Sequence, residues 1–304
     1  PESYKITSEV TDEEKSKCIS EEEAEKIGNE YLEKIGFDKD TIRQLELKKE
    51  LLEDRNLWFV NSEKVSMKIN ARTGKIELVH IPTWEYQLPY NYGITREEAI
   101  ITAEELLEKY KPEDYEGEYK LVRLTGNMET DEASYIWYAD FYRTYGDLIN
   151  ESEKISIGWI PKINALYSLS FKNITYENND EKISKEEAIR VATEKDKQIE
   201  KNKTIIETKA EIRIKQMNSA VYMRENYKED YEKGMLNYFE KNEEDMYKIK
   251  DGVNMYKTEE RVRKVWCVAI EYSDEKAFTY YIDCTTGEII GGSNFDVLAS
   301  EDNL

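Results

Sequence analysis

Three short segments of this chain begin in the same way. They are Ile19-Ser20-Glu21-Glu22-Glu23-Ala24, Ile94-Thr95-Arg96-Glu97-Glu98-Ala99 and Ile183-Ser184-Lys185-Glu186-Glu187-Ala188. Each reads as a capping box, in which a Ser or Thr side chain accepts from the third helical amide and the Glu there reaches back. The Ile ahead of each cap is placed to staple onto the helix, and the acids sit at the positive end of its dipole. Helical periodicity follows each cap. The apolar stripes are Ala24, Ile27, Tyr31, Leu32 and Ile35, then Ala99, Ala103, Leu106, Leu107 and Tyr110. The third stripe starts at Ala188, Val191 and Ala192, decays at Lys195 and Asp196 and recovers at Ile199, which predicts a shorter or less buried helix.

Two further landmarks recur downstream. A tryptophan centres an apolar, β-prone run in Leu57–Val60, Ile136–Ala139 and Val265–Val268. A strand then runs into a tight turn: Ile69-Asn70-Ala71-Arg72-Thr73-Gly74 matches Ile282-Asp283-Cys284-Thr285-Thr286-Gly287. Glycine supplies the positive φ of such a turn, and the middle copy, Trp159–Leu166, carries Asn164 instead. Three landmarks in one order, three times, describe a repeat. The unit is one amphipathic helix followed by three or four antiparallel strands, with the helix lying across the sheet. The fold class is therefore α+β with three tandem units. A polar segment, 1–18, precedes repeat 1 at 19–92, repeat 2 at 93–176 and repeat 3 at 177–304, the last with an insertion at about 218–258.

A helix opening on Ile-Ser-x-Glu-Glu-Ala, a Trp-centred strand and Tyr281-Ile282-Asp283-Cys284-Thr285-Thr286-Gly287-Glu288-Ile289 together resemble the PepSY domain. The best match is 182–292. The triplication, with Ile155-Ser156-Ile157-Gly158-Trp159-Ile160-Pro161-Lys162-Ile163, is similar to the YcdB/YcdC-type secreted or lipoprotein repeat proteins of Gram-positive bacteria. The resemblance implies a cystatin-like helix-on-sheet fold, an extracytoplasmic location and a role in regulating or inhibiting a peptidase at the cell surface. It carries no catalytic residues to transfer. Asn164 in the middle turn, the weak third helix and the insertion depart from its pattern.

Charge and composition bound the function further. A net charge of −21, from 65 acids against 44 bases, repels phosphate backbones and anionic headgroups, so no nucleic-acid partner is expected. No apolar run is long enough to span a membrane. The start at Pro1 reads as a mature chain, secreted or anchored through a removed N-terminal signal. The one histidine, His80, reads as a strand residue and excludes zinc motifs built on paired imidazoles. There is no glycine-rich phosphate loop and no metal-spaced cysteine pair, so neither catalytic residues nor cofactor nor metal is expected. Cys267 and Cys284 fall on adjacent strands of a predicted hairpin, and a register placing Tyr272 opposite Thr279 would align them for a disulfide. A shift of one or two residues removes that option. Gly291-Gly292 reads as a turn after the last strand.

The aromatic segment containing Trp84, Tyr86, Tyr90 and Tyr92 is the candidate interaction surface. It either packs as a linker between repeats or offers exposed rings to a peptide or glycan. Tyr222, Tyr227, Tyr231, Tyr238 and Phe239 of the insertion pose the same choice, and their spacing favours a helix face burying itself. The sequence thus predicts a non-catalytic extracytoplasmic binding protein whose partner is a peptidase or another envelope protein. The alternative is a structural or cell-wall-associated module with no peptidase partner.

Overall fold

The computed structural model describes residues 7–38, 42–50, 55–62, 64–82, 93–127, 134–226, 258–274 and 276–294. The protein is α+β, with a mixed, mostly antiparallel sheet and few helices. The chain packs as two compact units. The N-terminal unit comprises Lys5–Thr144 and Glu153–Asn173, and the C-terminal unit contains Tyr145–Ser152 and Ile174–Leu304. The first two helix-and-strand runs thus share one packed body.

In the N-terminal unit, β1 (Thr7–Ser8) and α1 (Asp12–Lys15) lead into α2 (Glu21–Lys34). Four strands follow, β2 (Gln44–Glu50), β3 (Arg55–Asn61), β4 (Ser66–Asn70) and β5 (Ile76–His80), each antiparallel to the next. The second run is α3 (Arg96–Tyr110), β6 (Tyr119–Gly126), β7 (Trp137–Tyr145), β8 (Leu148–Ile160) and β9 (Ala165–Asn173). Here β7 pairs with β6 and β8, and β8 with β9. The closing strands β5 and β9 pair antiparallel, with Val79 opposite Leu169. One core joins the run, from Ala24, Leu32 and Met67 to Ala103, Leu107, Trp137 and Phe171.

The C-terminal unit repeats the order with α4 (Lys185–Ile199), β10 (Ile205–Asn218), β11 (Thr258–Tyr272), β12 (Ala277–Asp283) and β13 (Ile289–Ser293). A seven-residue helix, α5 (Ala220–Asn226), follows β10, and the start of β8 pairs parallel with β10 at Asn150 and Ile214. Its core gathers Ala188, Ala192, Val268, Phe278 and Ile282. Trp58, Trp137 and Trp266 lie on β3, β7 and β11, the second strand of each run.

The first and third runs agree bond for bond around the turn. Trp58 pairs with Ile69, and Trp266 with Ile282. Asn70 Oδ1 accepts from the amides of Arg72 and Thr73, and Asp283 Oδ1 from those of Thr285 and Thr286. Gly74 and Gly287 adopt φ of 72° and 75°, the left-handed region that favours glycine. The amides of Ile19 and Ile183 donate to the carbonyls of Ala71 and Cys284, docking each helix entrance on the turn. In the middle run a 3-10 turn, Pro161–Ile163, ends on Asn164 at φ 48°.

Several expectations need correction. Full reciprocal capping boxes form at Thr95/Glu98 and, unforeseen, at Thr11/Glu14. Ser20 and Ser184 cap one way only, and Glu187 instead pairs with Arg190. Helix α4 is not shorter, with 15 residues as in α3, but it is less buried: only Ala188, Ala192 and Asp196 are buried, against four residues in each of α2 and α3. No disulfide joins Cys267 to Cys284, because the register sets Cys267 opposite Tyr281 and leaves Cys284 beyond the strand end. Both are buried, and burial pushes the Cys284 thiol up to about 12. Gly291 and Gly292 lie inside β13, where a Cβ at Gly292 would meet the Phe278 ring and the Thr279 carbonyl at 2.7 Å. Tyr222 is 59% exposed on α5, so it does not belong to a buried helix face.

Candidate functional site

The aromatic segment with Trp84, Tyr86, Tyr90 and Tyr92 lies outside the described residues, as do Tyr227, Tyr231, Tyr238 and Phe239. His80 ends β5, with its ring 5.2 Å from that of Tyr167 in an edge contact. The described residues contain no cluster of His, Cys, Asp and Glu able to hold a metal ion and no helix long and apolar enough to cross a membrane.

A buried cluster of ionisable groups lies in the core of the C-terminal unit. Counting from each N-cap, the twelfth residue is Leu32 in α2, Leu107 in α3 and Asp196 in α4 (20 to 32, 95 to 107, 184 to 196). The break in the third apolar stripe is therefore a carboxylate pointing into the core, where Asp196 is 1% exposed. Glu200, one turn later, and Arg224 on α5 are each 5% exposed. Tyr272 on β11 and Tyr280 on β12 complete the set, and both are buried. Strand alternation turns Phe278, Tyr280 and Ile282 toward the helix, and the position that holds Tyr280 before the turn glycine holds Met67 in the first run (287 to 280, 74 to 67).

These groups form a closed hydrogen-bonded ring. Arg224 Nη1 donates to Asp196 Oδ1 at 3.0 Å and to the Tyr280 hydroxyl at 2.8 Å. Its Nη2 donates to Glu200 Oε1 at 3.0 Å and to the Tyr272 hydroxyl at 2.7 Å. Each hydroxyl in turn donates a hydrogen bond to Asp196 Oδ1, Tyr272 at 2.5 Å and Tyr280 at 2.8 Å. The guanidinium carbon lies 4.2 Å from the Phe278 ring centroid. Burial works against the Arg224 charge, but the facing tyrosines and Asp196 outweigh it and hold the group above its ordinary range. Burial, only partly offset by Arg224, keeps both tyrosines protonated. All five side chains are buried among the described residues, and their bonds join α4, α5, β11 and β12 into one packed body.

An open surface feature lies in the N-terminal unit. A shallow cleft of about 410 Å³ is bounded by α2 at Ile27, Glu30 and Lys34, by the β4–β5 turn at Thr73–Ile76 and by the segment after α3 at Pro112–Tyr115. Tyr31 and Tyr115 form part of its wall, and burial raises both phenols. The Tyr31 hydroxyl donates to the Tyr110 carbonyl, and Lys75 pairs with Asp114 at 3.3 Å. Such a cleft offers mixed charge and ring edges at the surface.

On two outer strands one backbone group is taken by a side chain. The Gly292 amide on β13 donates to Asn218 Oδ1 at 3.0 Å, and the Leu124 carbonyl on β6 accepts from Arg96 at 3.1 Å.

Reasoning from sequence missed the Arg224 ring. One half was signalled by a charge at a core position of α4. The other could not be read, because Arg224 lies 28 residues from Asp196 and 48 and 56 from the tyrosines. No family model matches the chain, and no curated protein matches it. Among solved structures, the Bacillus megaterium YpeB C-terminal domain is similar at a TM-score of 0.39 and 13% identity, over 91% of this chain and 97% of that one.

Proposed function

We propose that this chain is a non-catalytic, extracytoplasmic binding protein of three PepSY-like repeats, and that its partner is a peptidase at the cell surface. The observation that carries this reading is the role of the signature residues. Trp58 and Trp266 tie strand to helix entrance, the capping serines hold the first helical turn, and Asn70, Gly74, Asp283 and Gly287 shape the turns on which the helix entrances dock. The motif shared with PepSY domains is thus a scaffold, and recognition falls to surfaces the scaffold presents. The cleft between α2, the β4–β5 turn and Pro112–Tyr115 is the contact surface assigned to that role. Its mixed charge suits a protein segment, in keeping with the acidic net charge that disfavours nucleic acid.

Affinity capture tests the proposal. The immobilised chain is exposed to culture supernatant and wall extract of its own organism, and retained proteins are identified by mass spectrometry. Saturable, salt-tolerant retention of a peptidase that weakens when Lys34 and Lys75 are replaced by Glu supports the reading. Retention of wall fragments alone would replace it with a structural envelope module.

A further inference from the structure

Independently of that reading, the C-terminal unit contains a seat built for one chemical group. Asp196, Glu200, Tyr272 and Tyr280 place four oxygens on the two terminal nitrogens of Arg224, two on each, and Phe278 closes one face of the plane. That arrangement matches a planar fork of donors. An ammonium group, a point charge with three tetrahedral donors, cannot span the same oxygens in one plane. The seat is also specific to this run, since Leu32, Leu107 and Met67 fill the matching positions elsewhere. Its occupant arrives on α5, a seven-residue helix that follows β10 and has no counterpart among the described residues between the first two strands of the other runs. Within α5, Ala220, Val221, Met223 and Arg224 face inward while Tyr222 faces solvent.

We propose that these five side chains form a guanidinium receptor that Arg224 fills in cis, so that α5 is its built-in ligand and an arginine side chain is the ligand class it takes. The receptor is shut while α5 is seated. Withdrawing the Arg224 side chain leaves two carboxylates, two hydroxyls and a ring face around a space shaped for an alkylguanidinium.

The test uses the full chain carrying Arg224→Ala, titrated with ethylguanidinium and, in parallel, with ethylammonium. Binding is followed by calorimetry and by the thermal unfolding midpoint. Ethylguanidinium should bind saturably and raise the midpoint, with ethylammonium weaker by roughly tenfold or more. The unsubstituted protein should respond to neither, because its seat is taken. If Arg224→Ala does not fold unaided, the titration is run as refolding, and recovery of far-UV circular dichroism together with amide protection in α5 is the readout. Arg224→Lys should fail to restore α5 protection. Equal responses to the two cations, or no response in either format, would overturn the receptor and leave an ordinary buried ion pair.

Discussion

Trp266 donates its indole N–H to the carbonyl of Ile183 at 2.9 Å, tying the second strand of the C-terminal meander to the residue before the α4 N-cap. Trp58 makes the same bond to Ile19 at 3.2 Å in the first run. The middle run varies it: Trp137 donates to the Ser134 carbonyl at 3.0 Å, and the same oxygen accepts the Ile94 amide. The indole is therefore a spacer that sets helix entrance against sheet, directly in two runs and through one residue in the third.

Replacing Trp266 with Phe keeps most of the apolar volume and removes the donor. The Ile183 carbonyl then loses its indole donor, so a loss of about 1–3 kcal/mol is expected, with a similar loss for Trp58→Phe. Trp137→Phe should cost less for hydrogen bonding, since the Ser134 oxygen retains the Ile94 amide. Chemical denaturation of the three single variants measures the order.

The turn glycines give a second ordering. Gly74→Ala and Gly287→Ala each place a Cβ in left-handed backbone, at a cost of about 1–2 kcal/mol. At Gly74 the new Cβ would lie 2.9 Å from Ile27 Cδ1, whereas at Gly287 the nearest atom, Ile183 Cδ1, lies 3.3 Å away. Gly74→Ala is therefore expected to be the more damaging in thermal unfolding. Asn164→Gly, at φ 48°, should be close to neutral.

How far the sequence discloses this structure depends on the range of the interactions. The helix starts at Ser20, Thr95 and Ser184, the tryptophan strands and the Asn70 and Asp283 turns are local, so spacing alone places them. Strand register is a tertiary quantity. Ala277 falls opposite Glu271, and that offset, invisible in composition, decides against a Cys267–Cys284 bridge. The Arg224 ring was half legible: Asp196 breaks an apolar stripe, yet its cation comes from another element. The cleft beside Lys34 and Lys75 was not legible at all, because three segments distant in sequence bound it.

Asp283 links the turn to pH. Burial raises its pKa, but hydrogen bonds from Arg263 and the amides of Thr286 and Thr285 overcome this and hold the carboxyl below its ordinary value. A carboxylate whose folded pKa is depressed contributes stability above its unfolded pKa, and that stability is lost as pH falls through the folded value. The C-terminal unit should therefore lose stability below about pH 4, the unfolded aspartate range. Asp283→Asn keeps the oxygen for the two amides, as Asn70 does in the first run, and removes the titration. Urea midpoints from pH 7 to 3 should fall less steeply for Asp283→Asn than for the unsubstituted protein.

The buried ring separates the cost of breaking a charge network from the cost of replacing it. Asp196→Leu alone installs the residue found in α2 and α3 but strands Arg224, which remains 5% exposed beside Glu200. Breaking one partner of a buried pair costs about 3–5 kcal/mol, because the remaining charge is left poorly compensated. Exchanging the whole set removes every stranded group at once: Asp196→Leu, Glu200→Leu, Arg224→Met, Tyr272→Phe and Tyr280→Phe. Apolar replacements of buried ion networks are often neutral or stabilising by about 1–4 kcal/mol. The fivefold variant is thus expected to be at least as stable as the parent in urea, and clearly more stable than Asp196→Leu. The five changes touch one another, so their individual effects will not sum. A fivefold variant no more stable than the single one would mean that the ring contributes a packing geometry that apolar side chains of similar size cannot reproduce.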